Sequence, residues 1–291
     1  MRLLQKYLVL ILVVLSTSMY ALALWSGADA ELAVLAASAL SLAVAWWLER
    51  VLPYRPAWNA DHGDLKVDLA SAGVLVALVD PLAKLLAPLA LVGLYAMVPW
   101  RPLEGTLPLW TEIAAVLLLV ELGKYASHRL HHRWSPLWWL HAMHHSSERL
   151  YFLNGLRFHP LNHLLNYAIA LLPAMALGAS PEAMLGYLAL TQPVVLIQHA
   201  NIDLRHGWLN RVFSTPEVHR WHHSTEPDEA NRNFGSALLL WDHVFGTFKP
   251  ADGFGDSRQV GLFSASRACY PGRRSYLVQL TSMFRPPCCA A

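Results

Sequence analysis

The stretch SHRLHHRWSPLWWLHAMHH, residues 127–145, holds six histidines and three tryptophans in nineteen residues. The histidines are spaced in order. His128 and His132 are four apart, and His141, His144 and His145 form an H-x-x-H-H pattern. The pattern returns at 218–224, VHRWHHS, in His219, His222 and His223. Residues three and four apart share a helix face, so each cluster can aim two or three imidazoles at one point. One zinc needs about four ligands; eight clustered histidines suit two metal ions. Imidazole serves iron, zinc, copper and nickel, so spacing alone does not choose the metal. Glu148, Glu217 and Glu226 are the only acids close to the clusters, which argues against a carboxylate-bridged bundle site. The isolated His62, His163, His206 and His243 read as ordinary core or surface residues. His131 points away from His128 and His132 on a helix. A bis-histidine haem protein would need isolated histidines facing each other across helices, which these clusters do not provide.

The surrounding chain is apolar. Of its 291 residues, 55% are hydrophobic and 14% charged, against about a quarter charged in soluble domains. The net charge of +2 and the absence of a basic run give no reason to expect nucleic-acid binding. Residues 7–25 (YLVLILVVLSTSMYALALW) and 32–48 (LAVLAASALSLAVAWWL) approach the roughly 20 residues that span hydrocarbon. Residues 67–99 are too long for one simple span, and Pro81 and Pro88 predict two short helices or a re-entrant hairpin. Residues 107–122 run apolar into the first histidine cluster. GASP at 178–181 splits 164–198 into a helical hairpin, with Gly178 closing one helix and Pro181 opening the next. A signal peptide ending at ALA, 21–23, is the alternative reading of the first run. Arg2 and Lys6 precede the first span, while Arg50, Arg55 and Lys66 follow the second. This places both flanks, and the histidines, in the cytoplasm. Cys269, Cys288 and Cys289 have no zinc-knuckle or redox spacing, and the ending CCAA matches a C-a-a-X box only literally.

The motifs resemble those of the fatty acid hydroxylase / sterol desaturase superfamily, over about residues 120–248. SHRLHH is similar to its H-R-x-x-H element, through His128 and His132. LHAMHHSSE is similar to H-x-x-H-H-S, through His141, His144 and His145. NGLRFHPLN resembles R-x-H-P and places His159 near the metals. IQHANID resembles Q-H-x-N and places His199. TPEVHRWHHS resembles the third histidine box, through His219, His222 and His223, and NRNFGSALLLWDHVFGTF the closing N-[YF]-G…W-D-x-x-F-G-T signature. Two positions depart from the pattern. Asn162 stands where an acid often follows H-P-L, and Asn201 and Asp203 stand where fatty-acyl hydroxylases often carry a further histidine.

The resemblance implies an all-α integral-membrane bundle with a cytosolic histidine-rich cap holding a dinuclear site. It divides the chain into an N-terminal transmembrane region (1–106), a hydroxylase-like catalytic domain (107–250) and a C-terminal tail (251–291). It implies two iron ions, with zinc as a possible substitute, O2 as co-substrate, and ten ligands: His128, His132, His141, His144, His145, His159, His199, His219, His222 and His223. The substrate would be a lipid such as a sterol, fatty acyl chain, carotenoid or ether lipid, with hydroxylation favoured over desaturation. Ring nitrogens not on metal need hydrogen-bond acceptors; Asp203, Glu148, Glu217, Asp242, Asn154, Asn201 and Asn233 are candidates. No dinucleotide, iron–sulfur or haem motif occurs, so electrons must come from a separate ferredoxin, cytochrome or flavoprotein reductase. Arg258, Arg267, Arg273, Arg274 and Arg285 in the tail suit a solvated surface or an acidic redox partner. A membrane zinc hydrolase and a metal transporter or store remain alternatives. The first would use three ligands and leave five histidines unexplained. The second would place its ligands inside spans, whereas these clusters fall at span ends.

Overall fold

The computed structural model describes residues 2–97, 100–255 and 257–284. It is helical, with only isolated bridges and no strands among the described residues. Eight helices matter here: α1 Arg2–Ser26, α2 Ala30–Val51, α3 Leu65–Met97, α4 Leu109–Arg133, α5 Ser135–His145, α6 Pro160–Ala176, α7 Pro181–Ile197 and α8 Pro216–His222. Of these, α1, α2 and α3 are long and apolar enough to cross a membrane. Their outer faces carry exposed Val14, Leu22, Leu35, Val76, Leu85 and Val92, as lipid contact demands.

The expected break in 67–99 does not occur. The run from 65 to 97 is one helix with a π turn at Leu75–Val79. That wide turn lies just before Pro81, which has no N–H to give to the ladder, so the ring is accommodated without ending the helix. Pro88 sits inside the same helix. The run is therefore a single span-length helix, and α4 returns the chain to the histidine end. By contrast, 164–198 does form a hairpin: α6 ends near Gly178 (φ +89°), and Ser180 caps α7 by accepting from Ala183 N–H, with Pro181 at its first turn.

Lipid is as apolar as leucine, so close packing must hold these helices together. At Gly123 of α4, an added Cβ would lie 2.7 Å from Ala170 Cα of α6, so glycine alone permits that approach. Leu8, Val9, Leu12 and Val13 of α1 pack with Ala45 and Leu48 of α2 and Val194 and Ile197 of α7. Buried carboxylates tie the cap to the helices. Glu49 of α2 accepts from Phe152 N–H (2.6 Å) and Asn201 N–H (2.8 Å), and Glu121 of α4 from Ala237 and Leu238 N–H (both 2.8 Å). Arg157 pairs with Asp68 on α3, and Arg149 lies 2.8 Å from Asp64. The start of α1 meets the cap as well: Gln5 accepts from Arg205 N–H at 2.8 Å. Arg285, Cys288 and Cys289 lie outside the described residues.

Candidate metal centre

Helices α4, α5 and α8 and the turn after α7 converge at the inner end of the bundle. They bring nine of the ten expected histidines into two groups, all buried except the half-buried His128. The first is His128, His132, His141, His145 and His222; the second is His144, His199, His219 and His223. Within each group one nitrogen per ring lies within 4.8 Å of the others. The H-x-x-H-H boxes do not each aim at one point. In α5 the i, i+4 pair His141/His145 joins the first group, while His144 joins the second. In α8 the pair His219/His223 joins the second group, and His222 crosses to the first. Each box therefore clamps one group and reaches into the other.

The nitrogen spacing suits a cation. Nε2 atoms lie 3.0 Å apart in His128/His141, 3.2 Å in His132/His145 and in His141/His145, and 3.1 Å in His199/His219 and His219/His223. Nitrogens on adjacent corners of an octahedron with bonds of about 2.1 Å lie about 3.0 Å apart. Several of these rings use their other nitrogen as a donor, which turns bare Nε2 lone pairs toward one another. His222 Nδ1–H is taken by Arg232 O, and its Nε2 is buried without a hydrogen-bond partner, a costly arrangement unless an ion engages it. The residues fit two metal ions. Burial, then mutual repulsion, pushes the imidazoles of His141, His145, His219 and His223 well below their ordinary pKa, so they are neutral and ready to ligate.

The ring-orienting acceptors are backbone carbonyls and amides, not acids. His128 Nδ1–H donates to Phe234 O (2.9 Å), His144 to Arg157 O (3.3 Å) and His222 to Arg232 O (3.0 Å). His132 donates to Asn231 (3.2 Å), His141 to Asn162 (3.0 Å) and His199 to Asn154 (2.9 Å). Of the seven acceptors expected from sequence, Asn154 alone touches a clustered ring among the described residues. Glu148 holds Arg273, Glu217 holds His206, Asp203 holds Gln5, Asn201 holds Arg55 and Asn59, and Asn233 faces Val218 and Lys249. Asp242 acts one step back, accepting from Phe234 and Gly235 N–H. Neither Asn231 nor Asn162 is among those seven, although both lie in quoted motifs and Asn162 stands where an acid often follows H-P-L. Asn162 also donates to His131 Nε2 (2.8 Å), and His131 Nδ1–H donates to Ser127 O (2.7 Å). His131 thus braces a clustered ring without entering either group.

His159 is not brought to either group. It caps α6, with Nδ1 accepting from Leu161 N–H and Nε2 donating to Leu280 O, both at 3.1 Å, so both its nitrogens are occupied. His62, His163, His206 and His243 also lie elsewhere, bonded to Ala57, Asp80, Glu217 and Arg211.

A cavity of about 590 Å³ reaches the centre. His128, His141, His144, His199 and His219 form its inner wall, while Leu35 and Val76, exposed on α2 and α3, line its outer end.

The family model for fatty acid hydroxylases matches residues 113–247. An ornithine lipid hydroxylase of Rhizobium tropici is 35% identical over 217 residues, covering 72% of this chain and 64% of the relative. An alkylglycerol monooxygenase of Caenorhabditis elegans is 32% identical over 154 residues, covering 52% of this chain and 29% of the relative, and the Homo sapiens one is 29% identical over 140 residues, covering 48% and 31%. The chain therefore spans just under two thirds of the rhizobial protein and under a third of the animal ones. No solved structure matches it. With histidine boxes at family spacing, two imidazole groups at the end of an apolar bundle and this match, residues 113–247 are a fatty acid hydroxylase domain, similar to those of lipid hydroxylases in the fatty acid hydroxylase / sterol desaturase superfamily.

Proposed function

We propose that this protein is a membrane-bound di-iron oxygenase that hydroxylates a lipid. One observation carries the reading: two adjoining all-imidazole groups wall the inner end of a cavity whose outer end opens between lipid-facing helices. The names of the relatives, an ornithine lipid hydroxylase and alkylglycerol monooxygenases, agree with it. His128, His132, His141, His145 and His222 would hold one iron, and His144, His199, His219 and His223 the other. Neither group contains a carboxylate among the described residues, so a zinc hydrolase that needs an acid as general base finds none there.

When bound, the irons would supply O2 activation, with overall balance RH + O2 + two electrons + two protons → ROH + H2O. The chain supplies the rest. Carbonyls and amides fix each ring. Phe158 and Phe234 pack on His144 and His128, at 4.2 and 5.5 Å between ring centroids, and keep water from the inner wall. The electrons come from a separate protein on the cytoplasmic side. That side is supported by Arg2 and Lys6 at the start of α1 and Arg50 at the end of α2, since both ends meet the cap.

The test combines metal analysis of the purified protein with lipid profiles of a host with and without the gene, under air and under nitrogen. About two irons per chain and a hydroxylated lipid formed only under air are expected. One tight zinc and no oxygen-dependent product would overturn the reading.

A further inference from the structure

One ammonium in the cavity makes no direct contact with an acid among the described residues. Apart from histidines of the metal groups, the chargeable acid, lysine and histidine lining residues are Glu31, Asp80, Lys84, Lys124 and His163. Four of them pair off: Lys84 Nζ lies 2.9 Å from Glu31, and His163 Nε2 lies 2.7 Å from Asp80. Lys124 has no ion pair and no hydrogen bond among the described residues; its ammonium lies 5.5 Å over the ring of Tyr187. The acid one turn back, Glu121, acts on Lys124 through space but makes no ion pair or hydrogen bond with it among the described residues. It accepts from Tyr187 Oη (3.1 Å) and from Ala237 and Leu238 N–H.

The position of this cation matters. Lys124 precedes His128 by four residues on α4, which puts both on one face, about 6 Å apart along the axis. Both line the cavity. Asn166 and Gln192 line it too. Gln192 makes no hydrogen bond among the described residues, and Asn166 uses only Oδ1, accepting from Ser127 Oγ at 2.6 Å. The metal-proximal end therefore offers spare donors and an ammonium without a direct acceptor, while the charged groups toward α2 and α3 are paired with one another. An ammonium withdrawn from water without a partner is costly, and such a residue within a membrane protein marks a ligand pathway.

We propose that Lys124 determines specificity by holding a monoanionic group of the reacting lipid, a carboxylate or a phosphodiester. The inference rests on the lipid-oxygenase reading and adds an orientation. The lipid enters with its polar end toward the histidines and its chains toward α2 and α3, so the oxidised carbon lies in or beside the headgroup, not at a chain terminus. A lysine is a single point charge. It balances a monoanion and would leave a phosphomonoester partly uncompensated.

The test measures binding to the iron-loaded protein without oxygen, so that no turnover occurs. The probes are chain-matched: an N-acyl amino acid, its methyl ester, a lysophosphatidylglycerol and a monoacylglycerol. The wild type should bind an anionic probe about tenfold to a hundredfold tighter than the neutral ones, the range for a hydrogen bond to a charged group. The tighter of the two anions names the source. Lys124→Met should abolish the preference while keeping the affinity for neutral probes and the metal content; Lys124→Arg should retain it. Equal wild-type affinity for neutral and anionic probes would overturn the proposal, and that series does not depend on any variant folding. So would a preference that survives Lys124→Met, because the metal centre would then hold the anion. A chain without iron or oxygen-dependent product fails the oxygenase reading separately, since the binding preference is measured without turnover.

Discussion

Replacing Asn162 by leucine removes a fully buried amide that faces two rings at once. Its oxygen accepts from His141 Nδ1–H at 3.0 Å, which directs Nε2 of that ring into the five-histidine group, and its nitrogen donates to His131 at 2.8 Å. Leucine has similar bulk and leaves both nitrogens unsatisfied, at about 1–3 kcal/mol each in folding stability. Loss of such an orienting partner weakens a metal site about 10- to 100-fold, or about 1.4–2.8 kcal/mol. The structure confines the effect to one ion, because no ring of the His144, His199, His219 and His223 group bonds to Asn162. Chelator competition on purified protein, followed by metal analysis, should therefore release one of two ions at about 10- to 100-fold lower chelator and leave the other unchanged. Asn162→Asp restores an acceptor and should recover most of the affinity. Both ions leaving together, or neither moving, would refute the division into two groups.

Other predictions use different readouts. His222→Ala should lower iron content toward one ion per chain and abolish product, while His62→Ala, whose exposed ring meets only Ala57 O, should change neither; equal losses would contradict the grouping. The metal-free protein should lose stability on acidification. Its buried box imidazoles are held below their ordinary pKa, so the unfolded chain takes up protons near pH 6.5 that the folded chain refuses. Thermal unfolding should accordingly be flat from about pH 8 to 7 and fall below about 6.5; a rise in stability with acid would mean these rings are not buried neutral. For topology, Ser146 and Ser224 are buried, so reporter cysteines belong at the exposed Arg133 and Asp228. On a background lacking the native cysteines, both should react with an impermeant thiol reagent from the cytoplasmic face only, and labelling from opposite faces would exclude a shared centre.

The first two spans were legible because an uninterrupted apolar run of bilayer length has few other uses. The third was misread because Pro81 looks like a stop; whether a π turn precedes a proline is decided by neighbouring helices, not by local pattern. The clustered histidines were legible because three- and four-residue spacing constrains direction. Their partition was not, since a helix at 3.6 residues per turn separates His144 from the His141/His145 pair only once α8 and His199 approach from the other side. The ring-orienting partners were the least legible. Four carboxylates and three asparagines were expected, yet of these only Asn154 holds a clustered ring among the described residues, and Asn231, Asn162 and three backbone carbonyls hold others; any residue can supply a carbonyl. His159 shows the converse: a histidine before proline can serve as a helix cap.

The all-neutral surroundings of the two groups have an electrostatic consequence. Nine uncharged imidazoles oriented by amides and carbonyls would leave the charge of two bound divalent ions uncompensated by their own ligands, in a buried site where Coulomb attraction is weakly damped. Such a site draws anions inward and repels other cations, and it makes removal of an electron from the metals harder than beside carboxylates. The resting centre should therefore favour its reduced state and need an incoming anion, from solvent or from a headgroup, before it can be oxidised.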